Sequence, residues 1–340
     1  MTQISRIGLD TSKAVFTLHC VDAADRPVLR LNLRRAQLLP FFKRQAAAVV
    51  ALEACGSSHH WARKLTALGH DVRLIPPQYV KPYLKRAKND RNDAEAICEA
   101  AGRPGMTFVL AKPSDRQAES MVLKVRETLV GQRTQLVNTL RGHAAEFGVI
   151  AAKGTSQVPP LLAAIEADAE VPPIAMELAA LLGQAIDHLE SRIKALEVKM
   201  TAMHKANAIS PLLATMPGIG PIIALTMALE IDPAAFQSGR HLAAWLGLTP
   251  KEHSTGGKQR MGGISRAGDE RLRQLLVLGA TAVISHAKKG RPGVSAWLLN
   301  LLERKPRKLA AVALANKMAR IIWAMLTSGE AYRRSAPIAA

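Results

Sequence analysis

Five short apolar runs, each only strand-long, fill the first part of the chain at Ile4–Leu9, Val15–Cys20, Pro27–Leu33, Ala47–Leu52 and Asp71–Ile75. They are bounded by turn formers such as Thr11-Ser12-Lys13 and Pro76-Pro77, and each is too short to be a core helix. Between the third and fourth runs, Gln37–Arg44 reads as a helix. Ser57 can cap another that passes through Trp61, Leu65 and Leu68 to Gly69. Helical segments continue to about Ala101. Three early strands followed by strand–helix alternation predict a mixed α/β sheet covered by helices.

Two of these runs lead into an acid. Asp10 directly follows the first and Glu53 the fourth, while Asp90 and Asp93 lie three residues apart at a helix start and so share a face. A single strand-end acid is as often a surface residue as part of a site, but the set has the order and strand context of an RNase-H-like metal centre. Carboxylates are the ligands Mg²⁺ prefers, and phosphoryl transfer on nucleic acid ordinarily uses one or two such ions. Lys81, Lys85, Arg86, Lys88 and Arg91 form a basic rim around the acidic pair, suited to a phosphate backbone.

The formal net charge is +19, which points to a polyanionic partner. A membrane is the other acidic partner, but the sequence shows no signal peptide and no apolar run of about 18 residues. Cys20, Cys55 and Cys98 are odd in number and form no C-x-x-C, which predicts a reducing, cytoplasmic setting without disulfides or structural zinc. Cys20 and Cys55 read as core residues.

The 340 residues suffice for about two domains, and the pattern changes beyond residue 110. Pro113-Ser114 opens a long helix containing Val122, Val125, Leu129, Leu136 and Leu140 that ends near Gly148. A softer stretch with Gly154 and Pro159-Pro160 follows. A second long helix begins after Pro172-Pro173, where Leu182, Ile186, Leu189, Ile193, Leu196, Met200 and Met203 form a heptad seam. Either an intramolecular hairpin or a dimerising coiled coil would fill it. The remainder reads as helical, around Leu272–Ala287, Ala296–Leu302 and Leu309–Leu326, interrupted at Pro217-Gly218-Ile219-Gly220 and by a basic loop over 249–268. The P-G-x-G turn, through Gly218 and Gly220, can offer backbone N–H groups to a phosphate, or it can simply be a tight turn. The loop holds hydroxyls beside glycines and cations, including His253, Ser254, Thr255, Lys258, Arg260 and Arg266. That combination suits a nucleophile with phosphate clamps, or a loop that only contacts phosphate.

Taken together, Ile7-Gly8-Leu9-Asp10, Leu52-Glu53-Ala54, Asn89-Asp90-Arg91-Asn92-Asp93-Ala94, Met216-Pro217-Gly218-Ile219-Gly220, Ala244-Trp245-Leu246-Gly247-Leu248-Thr249-Pro250, Ser254-Thr255-Gly256-Gly257-Lys258 and Gly263-Ile264-Ser265-Arg266-Ala267-Gly268-Asp269 resemble the DEDD transposases of the IS110 type. The Ser-Thr-Gly-Gly-Lys form is similar to the IS1111 subgroup. This resemblance implies a RuvC-like domain over 1–110, a coiled-coil region over 111–206 and an all-α transposase domain over 207–340. It implies Mg²⁺ held by Asp10, Glu53, Asp90 and Asp93, and a serine that forms a covalent link to DNA. Ser254 is the residue that best fits that serine, or Thr255 if the register shifts by one. It further implies target and donor DNA, a structured guide (bridge) RNA from the element's noncoding end, and a dimer-to-tetramer assembly working at the bacterial nucleoid. Two other readings use the same residues: a RuvC-like metal-dependent nuclease without a serine step, and a non-catalytic nucleic-acid-binding protein.

Overall fold

Strands β1 (Arg6–Asp10), β2 (Val15–Val21) and β3 (Pro27–Arg34) form an antiparallel meander; then come α1 (Arg35–Lys43), β4 (Val49–Glu53), α2 (Ser58–Thr66), β5 (Asp71–Ile75), α3 (Pro77–Val80) and α4 (Asp90–Ala101). The sheet order is β3-β2-β1-β4-β5, with β4 parallel to both β1 and β5. The computed structural model describes residues 3–85, 89–287 and 295–333. The chain divides into two units, Met1–Gln117 and Ala118–Ala340.

Alternation along β1 sets the architecture of the first unit. Ile7 and Leu9 point into a core with Phe16, Leu18, Leu52, Trp61 and Leu65. Gly8 and Asp10 point the other way, toward α4. Helix α4 sits almost on the β1 backbone: a Cβ placed on Gly8 would come 2.1 Å from the Ala94 carbonyl oxygen and 2.6 Å from Cys98. Only a residue without a side chain allows that approach.

The second unit contains most of α5 (Ser114–Glu146), then α6 (Val158–Ala167), α7 (Pro173–Ala206), α8 (Ser210–Leu213), α9 (Pro221–Glu230), α10 (Gly239–Trp245), β6 (Pro250–Glu252), β7 (Met261–Ile264), α11 (Glu270–Ser285), α12 (Ala296–Arg304) and α13 (Arg307–Ser328). Helices α5 and α7 run antiparallel, tied by Arg126 Nε donating to Glu197 (3.0 Å) and by an Arg133–Glu190 ion pair. The heptad seam is therefore used within the chain. Ile186, Ile193 and Met200 are buried, while Leu182, Leu189, Leu196 and Met203 stay half-buried.

Several expectations need correction. The C-terminal region is mostly helical rather than all-α, because β6 and β7 pair as a hairpin. The stretch around Pro159-Pro160 is helix α6: both prolines stand in its first turn, where no N–H is needed. Ser57 precedes α2 but adopts φ 72° and makes no side-chain cap; the Ser58 hydroxyl donates to the Cys55 carbonyl instead (2.8 Å). Cys55 is exposed, not in the core. Helix α13 is long and apolar enough to cross a membrane by length and composition, contrary to the absence of such a run in the sequence reading. Its Ala310, Ala315, Met318, Ala319 and Ile322 lie in the core of the second unit.

Candidate functional site

Three carboxylates meet at the C-terminal end of β1. One oxygen each from Asp10, Asp90 and Asp93 lie within 4.8 Å of one another. The local reasons are plain. Asp10 ends the strand on the α4 face, and Asp90 and Asp93 occupy the first turn of α4. That turn is opened by Asn89, whose side chain accepts from the Asn92 N–H (2.9 Å). Unpaired helix N–H groups favour negative charge there. Glu53 ends β4, next to β1. It lies outside the tight trio, yet its charge acts on Asp10.

Asp10 carries the electrostatic signature. Partial burial, followed by the charges of Asp93, Asp90 and Glu53, pushes its carboxyl up to about 6. Like charges gathered with so little compensation call for a cation. Hard oxygen donors at this spacing fit a divalent metal ion, with Asp10, Asp90 and Asp93 as the group that would hold it and Glu53 beside them.

The basic rim is only partly visible. Lys85 donates to Glu95 (2.8 Å) and Arg91 is exposed on α4, whereas Arg86 and Lys88 lie outside the described residues. Sequence reading missed Glu95, which also receives Arg30 at 3.4 Å. Neither Cys20 nor Cys98 is a reactive thiol: burial pushes Cys20 up to about 12 and raises Cys98.

The second unit places the hydroxyl-bearing segment on the β6–β7 hairpin. Thr255 and Lys258 pair across a two-residue turn in which Gly256 and Gly257 have φ 54° and 73°. That is the type I′ geometry demanded by the twist of a tight hairpin. Ser254 sits just before the turn. Its hydroxyl donates to Glu252 Oε1 (2.8 Å) and accepts from the Arg260 N–H (3.1 Å). Thr255, next in line, points to the opposite side of the strand. His253 is held by backbone pairing to Arg260 (2.8 Å), and its ring lies beside Gly262. Lys258 and Arg260 are exposed near the tip. Arg266, at φ 55°, lies at the base. The base is tied down by the buried Arg273, whose guanidinium donates to the carbonyls of Leu246 (3.1 Å) and Ala267 (2.8 Å).

The P-G-x-G turn divides its roles. Gly218, at φ 84°, packs against α11, where a Cβ would come 2.6 Å from the Gly279 carbonyl oxygen. Packing accounts for this glycine. Gly220 is exposed at the start of α9 with open space around it.

The profile of the IS110-type DEDD transposases matches residues 7–148, and that of the "Transposase IS116/IS110/IS902 family" matches residues 210–293. A transposase homologue of Sinorhizobium fredii, y4pF/y4sB, is 52% identical over 98% of this chain and 87% of its own length. The transposase for insertion sequence element IS1111A of Coxiella burnetii is 39% identical over 98% and 92%. That for IS1328 of Yersinia enterocolitica is 36% identical over 98% and 100%.

Proposed function

Because the chain belongs to the IS110/IS116/IS902 family of insertion-sequence transposases, we propose that it is an RNA-guided DNA recombinase that moves its own element through a serine–phosphate intermediate. Family membership makes it a DNA-processing transposase that binds DNA and uses a divalent metal. The added steps are our reading, and the Ser254–Glu252 hydrogen bond is the observation that carries it.

In this reading Ser254 Oγ attacks a DNA phosphorus. The Oγ–P bond forms, the bond from phosphorus to the leaving sugar oxygen breaks, the Oγ proton passes to Glu252, and the leaving oxygen takes a proton from water. A carboxylate accepts a hydroxyl proton in the same way in protein kinases, where the substrate hydroxyl attacks phosphorus. The Arg260 N–H uses one lone pair of Oγ and so directs its proton at Glu252. In the reverse step Glu252 returns the proton to Oγ as the strand is resealed, so no ATP is needed. A bound Mg²⁺ would supply neutralisation of the charge that builds on the phosphoryl oxygens. Asp10, Asp90, Asp93 and Glu53 would hold it.

Lys85, Arg91, Lys258, Arg260, Arg266 and the backbone at Gly220 would grip phosphates, and pairing with the guide RNA would select sequence. The half-buried seam residues of α7 would support a dimer or tetramer. The setting would be the bacterial cytoplasm, on chromosomal DNA.

A covalent-adduct assay tests this. Protein, its co-purifying RNA and element-junction DNA are incubated with Mg²⁺, separated on a denaturing gel, and any adduct is mapped by mass spectrometry. The expected adduct is on Ser254 and vanishes in Ser254→Ala. Normal cleavage by Ser254→Ala would replace this mechanism with a RuvC-like nuclease in which water attacks. Glu252→Gln, which can accept a hydrogen bond but holds no proton at neutral pH, should slow adduct formation about 10²–10⁴-fold. Its rate should climb with pH as hydroxide takes over. A Glu252→Gln rate and pH profile matching wild type would remove Glu252 from the mechanism while leaving Ser254 in it.

A further inference from the structure

Residues paired across adjacent strands point to the same face of a sheet. Asp10 pairs with Thr17, and Thr17 with Asn32; one step along, Gly8 pairs with His19 and His19 with Arg30. Asn32 and Arg30 therefore share the face of Asp10. Helix α4 covers β1 and β2 on that face, and β3 lies beside it as the edge strand. A cavity of about 420 Å³ opens there, with Thr17, His19, Arg30, Asn32 and Arg91 among its walls.

The cavity is positively charged and its key cation is held in place. Arg30 Nε donates to His19 Nδ1 (3.1 Å), and its Nη2 reaches Glu95 at 3.4 Å. His19 is buried, and burial and then Arg30 lower its affinity for a proton, so it serves Arg30 as a neutral acceptor. Arg30 nonetheless keeps 52% of its side chain exposed. The cavity lining carries two cations, Arg30 and Arg91, and no carboxylate among the described residues.

We propose that Arg30, Asn32 and Arg91 form a phosphodiester-binding site that grips the backbone of the nucleic-acid strand presented to the carboxylate cluster. Strands lie ~4.8 Å apart, so Asn32 is about 10 Å from Asp10 across the sheet. That separation exceeds the axial rise of ~3.4 Å per phosphate on one strand of duplex DNA, so the grip falls on a neighbouring phosphate of the same strand rather than on the one to be cut. Guanidinium forks and an amide N–H₂ match phosphate oxygens and read no base, so the site serves any sequence. This rests on the nucleic-acid-processing role proposed above.

The test measures binding of a short random-sequence DNA duplex in EDTA, by fluorescence anisotropy across a salt series. Each phosphate that the protein no longer neutralises should flatten the slope of log K against log salt by about 0.9. Arg30→Gln with Arg91→Gln should flatten it by roughly 1.8, while Arg30→Lys with Arg91→Lys should restore it. Asn32→Asp, an exposed change that leaves the core alone, should weaken binding severalfold. Wild-type slope and affinity in both the double glutamine variant and Asn32→Asp would overturn the site. Wild-type protein that binds no DNA at low salt would instead overturn the function on which the site rests.

Discussion

Asp10→Asn will abolish metal-dependent DNA cleavage and yet raise the melting temperature of the metal-free protein at pH 8. The loss should be at least about a thousandfold, since Asp10 is central to the three-acid group and no other described residue replaces its oxygen. The stability gain follows from the carboxyl pushed up to about 6 by burial and by Asp93, Asp90 and Glu53. Between an unfolded value near 3.8 and about 6, the folded state binds the Asp10 proton more tightly than the unfolded chain does. The fold therefore loses stability as pH rises through that window and carries the full penalty above it. The shift corresponds to at most about 3 kcal/mol, and solvent screening of a half-buried group reduces this to about 1 kcal/mol. Asparagine removes the penalty, so the variant should melt about 3 °C higher at pH 8, with the difference shrinking to about half near pH 5 and vanishing near pH 4. Melting curves in EDTA at these pH values check it. A variant that melts at or below wild type at pH 8 would show that the acids are not in mutual repulsion.

Gly8→Ala should produce the largest effect on the fold, about 3 kcal/mol. Its new Cβ would meet the Ala94 carbonyl at 2.1 Å and the Cys98 backbone nitrogen at 2.6 Å. Both are backbone atoms of α4, which cannot step aside individually. The helix must lift from β1, and Asp90 and Asp93 move with it away from Asp10. The urea midpoint should fall, and tight divalent-metal binding should be lost even at urea concentrations where the variant remains folded. Wild-type values for both would mean that α4 is not seated on β1 as described.

How much of this was legible in the sequence depended on the range of the interaction. Strand-length apolar runs ending at Asp10 and Glu53, and an acidic pair at a helix start, are local patterns, and the structure places these residues as those patterns suggest. The hairpin that carries Ser254 was not legible as strands, because 250–264 has no apolar alternation; its one signal was Gly256-Gly257, the pair a type I′ turn requires. Ser57 looked like a helix cap by residue type, but the chain enters α2 through a left-handed bend that turns its hydroxyl to no capping use. The contribution of Arg30 and Asn32 was invisible for a different reason. Their alignment with Asp10 depends on the register of three strands, which only the folded sheet defines.

The two outer strands of that sheet are sealed in different ways, with consequences for handling the protein. The free side of β5 is closed by its own chain, where the Val109 N–H donates to the Leu74 carbonyl (2.7 Å). Among the described residues no strand pairs with the free side of β3, whose Arg30, Asn32 and Arg34 are exposed. Polar and charged residues on an open edge discourage strand-to-strand aggregation. Apolar replacements along β3 should turn this edge into a template for self-association in concentrated solution, with or without nucleic acid.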